Sequence, residues 1–187
     1  MKRDVCYLAS LALIGAMAPA TAFAGGVFFG FGAGAGNVDF DDGTIPDYLI
    51  VDDDQMVGEW LLGYRFDSKL IIEGGGSVGL SLSTLFFEDL VVLDDQRVMV
   101  GYAFQPTERF SIVPKVGVSF WNLQLDEIDF FSGTGLVHRN ESGSDLLWRL
   151  SLEWRVAKRM HLYAAYSDAH YDFGDSSTPS FGFKFQF

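Results

Sequence analysis

The stretch Ser180-Phe181-Gly182-Phe183-Lys184-Phe185-Gln186-Phe187 decides the fold. Aromatic rings take every second position and polar residues or glycine the alternate ones, a period of two that no helix carries. One face of this strand is apolar and the other polar. The sequence supplies nothing after Phe187 to cover the apolar face, so the cover is expected from earlier strands or from lipid.

The N-terminus points to export. Lys2 and Arg3 precede an apolar run from about Val5 to Ala18, and Ala22-Phe23-Ala24 offers the small-x-small pattern of a signal peptidase site. Residues 1–24 are expected to be a cleaved signal peptide and 25–187 the functional domain. A membrane anchor needs roughly 20 apolar residues, whereas this run is shorter and is broken by Pro19. Cys6 leaves with the signal, so the fold is expected to stand without disulfides. The signal holds two of the 13 basic residues and one of the 25 acidic ones, which leaves the remainder at −13. That acidity argues against nucleic acid or anionic lipid as an electrostatic partner.

The remainder reads as eight alternating segments: 27–36, 56–66, 69–79, 96–104, 109–122, 145–156, 160–170 and the closing 180–187. Segment 145–156 is the clearest. Leu146, Trp148, Leu150, Leu152, Trp154 and Val156 alternate with Asp145, Leu147, Arg149, Ser151, Glu153 and Arg155. In the first segment Phe28 and four glycines alternate with apolar residues; glycine normally weakens a strand, but inside a small barrel it makes room for long side chains. Asp67-Ser68 is read as a tight turn before Lys69. Long connections are expected at about 37–55, 80–95, 123–144 and 171–178, with short turns between them. Such asymmetry, with strands of about 10 residues, is typical of barrels that cross a membrane.

A soluble up-and-down barrel would share the strand count, and periodicity alone does not say which face is outside. Aromatic residues near the strand ends do. Trp60, Trp148 and Phe181 are assigned to a girdle at one rim or the other, with the two tryptophans toward the long connections; Tyr64, Tyr102, Phe104, Phe110, Trp154 and Phe187 lie toward the short turns. Apolar out and polar in is therefore the expected arrangement.

Three stretches carry a resemblance: Gly63-Tyr64-Arg65-Phe66, then Leu70-Ile71-Ile72-Glu73 after a short turn, and Tyr171-Asp172-Phe173-Gly174-Asp175 before the last strand. Together with the alternating strand that closes on Phe187, they resemble the OmpA-like and OmpX-like small barrels of the outer membrane protein β-barrel domain family. The resemblance implies an all-β, eight-stranded antiparallel up-and-down transmembrane β-barrel in a bacterial outer membrane. It further implies long connections outside the cell, both mature ends in the periplasm, and Phe187 as an assembly signal read by the outer-membrane assembly machinery. Lipid and lipopolysaccharide are then the surroundings, the barrel is expected to be a monomer, and no cofactor is expected. Members of the group include anchors, adhesins and serum-resistance factors, so the resemblance is weak for activity.

Parity places Glu59, Glu73 and Glu153 inside among Arg65, Arg97, Lys115, Arg149, Arg155 and Lys184, a set with excess positive charge. Isolated charges there are costly, so they are expected to pair. Arg65 and Glu73, on strands joined by a short turn, are the expected best pair. The set reads as a plug of ion pairs; a narrow anion path is the alternative, although eight strands leave little room beyond side chains.

An enzyme is the third reading. The lipid A deacylases of this architecture carry His-x-Ser-Asn on a late strand, and the nearest stretch here, Ala165-Tyr166-Ser167-Asp168, has alanine where the histidine belongs. Without that base the activity is not expected, and Ser167 reads as an interior residue. The long connections collect acid. Asp39, Asp41, Asp42, Asp52, Asp53 and Asp54 form a weak candidate for divalent cations, without calcium-loop spacing. Glu88, Asp89, Asp94 and Asp95 are assigned to the second connection. Leu85-Phe86-Phe87, Leu90 to Leu93, and Ile128, Phe130 and Phe131 are read as protruding hairpin strands or a binding surface.

Overall fold

The computed structural model describes residues 25–40, 54–81, 90–129 and 135–187. These form β1 (Gly26–Phe40), β2 (Asp54–Arg65), β3 (Leu70–Ser81), β4 (Leu90–Tyr102), β5 (Phe110–Asp129), β6 (Gly135–Ala157), β7 (Met160–Tyr171) and β8 (Gly174–Gln186). Each strand pairs antiparallel with its neighbour in sequence, and β8 pairs with β1 from Phe28↔Gln186 to Phe40↔Gly174. The result is a closed eight-stranded barrel. Residues 1–24, most of the first connection, Leu85-Phe86-Phe87, Phe130 and Phe131 lie outside the described residues.

Alternation sets the two faces. Along β2 burial switches at every residue from Asp54 to Leu61. Phe31, Trp60, Val98, Val116, Leu150, Leu162 and Phe183 are exposed on the outer wall, while Glu59, Arg97, Lys115, Ser151, Tyr163 and Lys184 are buried within the ring. A water-soluble barrel would not turn so much apolar surface outward. Toward the long connections this belt gives way to polar residues on several strands, as with Asn37 after Ala35 in β1 and Asp168 after Tyr166 in β7.

Several strand limits differ from the sequence reading. β5 and β6 run on as a ladder through Asn122↔Ser142 to Asp129↔Gly135, so most of the expected third connection is a hairpin. β4 begins at Leu90 and takes up Asp94 and Asp95. The fourth connection is not long: two residues, Asp172 and Phe173, join β7 to β8. Gly174 permits that turn with φ of 145°, a conformation side chains disfavour. Lys69 stands in the β2–β3 turn with φ of 70° rather than in a strand, and Phe66 and Lys69 close the turn by backbone hydrogen bonds.

The aromatic residues also separate. Tyr64, Tyr102, Phe104, Phe110, Trp154 and Phe187 lie at the short-turn end; for example, Phe110 pairs with Trp154 and Phe187 N donates to Val27 O. Trp148 sits at the other border of the belt, where its indole Nε1 donates to Asp168 Oδ1 at 3.1 Å. Phe181 opens the aromatic run of β8 opposite Ala33. Trp60 is not at an end. It faces Phe31 in the middle of the belt, its ring lying over Gly76, where a β-carbon would come within 2.8 Å of Nε1.

Candidate functional site

The chemistry-bearing side chains gather in the lumen, and glycines in the wall make this sterically feasible. A β-carbon on Gly32 would stand 2.2 Å from the Tyr163 hydroxyl, and one on Gly63 2.4 Å from the Phe28 ring. These positions give up side-chain volume so that rings from nearby strands, Phe28 on the paired strand and Tyr163 two strands away, can lie over them.

Glu59 is the centre of the upper group. It accepts two hydrogen bonds from Arg149, Nη1 to Oε2 and Nη2 to Oε1, each 2.7 Å, the bidentate geometry that makes arginine–carboxylate pairs strong. Arg97 also donates to Oε2, while Tyr163 and Ser180 donate to Oε1, each at 2.8 Å. Arg149 reaches Ser167 as well, at 3.0 Å. One carboxylate thus joins β2 to β4, β6, β7 and β8.

The lower group is a chain of bridges. Lys115 Nζ donates to both oxygens of Glu73 at 2.7 and 2.6 Å. Lys184 Nζ links Glu73 at 3.2 Å to Glu153 at 2.8 Å, and Arg65 completes the chain on Glu153. Lys184 Nζ also lies 5.0 Å from the Phe28 ring centre, within cation–π range.

Two expectations are corrected by this arrangement. Arg65 does not pair with Glu73: the register sets Glu73 against Gly63 and Arg65 against Ile71, and the Arg65 guanidinium crosses the lumen to Glu153 instead. Arg155 does not join the network. The β6–β7 register shifts between Arg155 and Ala157, and Arg155 is exposed at the short-turn rim.

One interior acid escaped the sequence reading. Asp95 is 4 % exposed and accepts hydrogen bonds from Ser77 N at 2.8 Å, from Ser77 Oγ and from Ser119 Oγ at 3.1 Å. Among the described residues the interior therefore sets five cations, Arg65, Arg97, Lys115, Arg149 and Lys184, against four carboxylates, Glu59, Glu73, Asp95 and Glu153. Asp145, partly buried, accepts from Trp121 Nε1 at 2.6 Å above them. The expected excess of positive charge is largely cancelled.

Apolar groups close both ends of the charged section. Phe28, Ile71, Ala103 and Val113 cluster toward the short turns. Val38, Leu93, Trp121, Leu123 and Phe173 cluster toward the long connections, with the Phe173 ring 4.7 Å from Trp121 and 5.0 Å from Tyr171.

The acidic candidate for cations fares differently. Asp39 and Asp54 are exposed at the strand ends, and Asp41, Asp42, Asp52 and Asp53 fall outside the described residues. Among the described residues no group of three or more potential ligands gathers. On the outer rim His170 Nδ1 approaches Asp175 Oδ1 at 2.5 Å.

A closed barrel with an apolar outer belt and a charged, bridged interior defines a small membrane-spanning barrel of the outer-membrane class. The chain belongs to the family described as outer membrane protein beta-barrel domain, whose model matches residues 6–187. It is similar in structure to Neisserial surface protein A, with a TM-score of 0.69 at 12% identity, covering 86% of this chain and 97% of that one. The attachment invasion locus protein Ail of Yersinia pestis, solved in complex with the heparin analogue sucrose octasulfate, gives 0.62 at 15% identity, covering 87% and 99%. The outer membrane protein OprG of Pseudomonas aeruginosa gives 0.54 at 10%, covering 87% and 95%. At these identities the likeness is one of fold. No curated protein matches the sequence.

Proposed function

We propose that this protein is a structural and surface-interaction barrel of the outer membrane that neither conducts ions nor catalyses a reaction. The observation that carries this reading is the filled lumen, in which bridged charges are closed above and below by apolar clusters. A conducting path needs continuous water and loosely held charges, whereas Lys115 is held by both oxygens of Glu73, and Glu59 and Arg149 are each bound by several partners. In this reading the long connections face the exterior, both ends of the mature chain face the periplasm, and the barrel stands alone among lipid and lipopolysaccharide after delivery by the assembly machinery.

Ser167, the serine of the deacylase-like stretch, supports the non-enzymatic side. It is buried in the lumen and held by Arg149, away from any lipid substrate. An attachment role of the kind the name of Ail describes would fall to the long connections, since binding residues commonly sit on loops held by a rigid scaffold. A polyanion of the sucrose octasulfate type does not suit this chain, because Asp41, Asp42, Asp47, Asp52 and Asp53 fill the first connection with negative charge. The surface partner is therefore expected to be neutral or basic.

Planar-bilayer recording tests the first half of the proposal. No discrete current steps are expected from the purified barrel, and reproducible openings would establish the pore reading instead. Replacement of residues 41–53 and 82–89 by short glycine-serine links, scored for cell attachment and for membrane integrity, tests the second half.

A further inference from the structure

The chain as a whole is acidic, yet one sector of the barrel carries the opposite sign. Arg109, Arg155, Lys158 and Arg159 stand exposed at the short-turn rim where β5, β6 and β7 meet. The backbone holds them together. Arg155 N donates to Arg109 O at 2.7 Å, and Lys158 and Arg159 form the β6–β7 turn, where Arg159 O accepts from Gln186 N at 2.8 Å. The register shift between Arg155 and Ala157 releases Arg155 from the inward row to this rim. Against the four stands Glu108, beside Arg109, but among the described residues none of the four cations is in a salt bridge. The β2–β3 turn has no such excess, since Lys69 there follows Asp67. On the membrane side of the cations, Trp154 pairs with Phe110 and Leu162, and Trp154 and Val156 are exposed on the outer wall.

We propose that this sector binds the headgroup of an anionic phospholipid, with Arg109, Arg155, Lys158 and Arg159 around the phosphate and Trp154 beside the glycerol. The wall passes from apolar residues to an indole to cations within a few positions, the order in which a phospholipid presents acyl chain, ester and phosphate. Arginine suits the last of these because its planar fork donates two parallel hydrogen bonds. Cations already in salt bridges would have to give up a partner to bind; these do not. A zwitterionic headgroup brings its own ammonium into the same collar and is disfavoured. The net charge of the chain is no guide to this rim. The apolar band of such barrels is about 25 Å tall, whereas charges in solution are screened over about 8 Å, so the acidic connections at the far end do not offset the four cations. The proposal holds whichever end faces the cell exterior; in the orientation proposed above, the lipid lies in the periplasmic leaflet.

The refolded barrel in nanodiscs of phosphatidylcholine with some phosphatidylglycerol tests the site, by native mass spectrometry of the lipids that stay bound. Retention of phosphatidylglycerol over its share of the nanodisc by about fivefold or more is expected. Replacing all four cations by glutamine should abolish that enrichment, and Lys69→Gln should leave it unchanged. No enrichment, or an equal loss in Lys69→Gln, would overturn the proposal. Solution NMR of the unmodified barrel locates the lipid without relying on a variant. Nitroxide-labelled phosphatidylglycerol should broaden the Trp154 indole signal more than labelled phosphatidylcholine does, while Trp148, at the other border, should respond equally to both. Equal broadening of Trp154 by the two lipids would contradict the site. Inorganic phosphate added to phosphatidylcholine nanodiscs should leave the Trp154 signal in place; a shift matching that caused by phosphatidylglycerol would make this a site for soluble anions instead.

Discussion

The middle of the lumen and its two ends are built on opposite principles. In the middle, charged side chains from six strands meet, and each is held by partners on other strands. At the ends, Phe28 with Ile71 and Trp121 with Phe173 pack as an ordinary apolar core. Charges alone would leave a wet interior that ions could enter, and apolar residues alone would leave inner and outer wall alike, so that the strands could face either way. The difference teaches that ionic specificity in the middle and dry ends are needed together. The ends exclude water, and the charged middle fixes which face points inward, because a one-residue slip would place every charge in lipid.

The largest expected effect comes from the middle. Glu59→Ala leaves Arg97 and Arg149 buried without their common acceptor, and roughly 3 to 5 kcal/mol of barrel stability should be lost. Urea unfolding of the barrel in lipid vesicles measures this. An unchanged midpoint would mean that the charges are hydrated and the ends are not sealed. Phe183→Arg examines the outer wall opposite the same layer and should cost about 2 to 4 kcal/mol if position 183 lies near the bilayer midplane.

A double-mutant cycle sharpens the pairing inside the middle. Arg65→Ala and Glu153→Ala should couple by about 1 to 3 kcal/mol. Arg65→Ala and Glu73→Ala should couple more weakly, because the two are linked only through Glu153 and Lys184. The reverse ranking would restore the hairpin pairing across the β2–β3 turn. The smallest effect is at the rim: Arg155→Gln should change stability by no more than about 0.5 kcal/mol, as for exposed positions generally.

Much of this was legible because a period of two is unambiguous when charges mark one face. The eight strands, the outward rings of β8 and the inward setting of Glu59, Arg97, Lys115, Arg149 and Lys184 all follow from it. Pairing was not legible. Partners such as Arg65 and Glu153 sit 88 positions apart and meet only through closure and stagger of the barrel, which no local pattern records. Asp95 was hidden by Asp94 and the acids before it, which made the segment look like a loop. The signal was present all the same: Leu93, Asp95, Arg97 and Met99 form one unbroken inward row. Phe173 was hidden for the opposite reason, since a ring in a two-residue turn carries no periodicity. Its role depends on the turn folding over the lumen.

The central claim is that odd positions of β8 face lipid and even ones face the sealed lumen. Spin labels on single cysteines from 181 to 186, with Cys6→Ser as background, test it by collision with oxygen and with a water-soluble nickel complex. The account predicts that labels at 181, 183 and 185 collide readily with oxygen, while labels at 182, 184 and 186 are shielded from it, in strict alternation. Strong oxygen collision at 182 and 184 together with nickel access at 181 and 183 would contradict it, because the charged face would then be the one in the membrane.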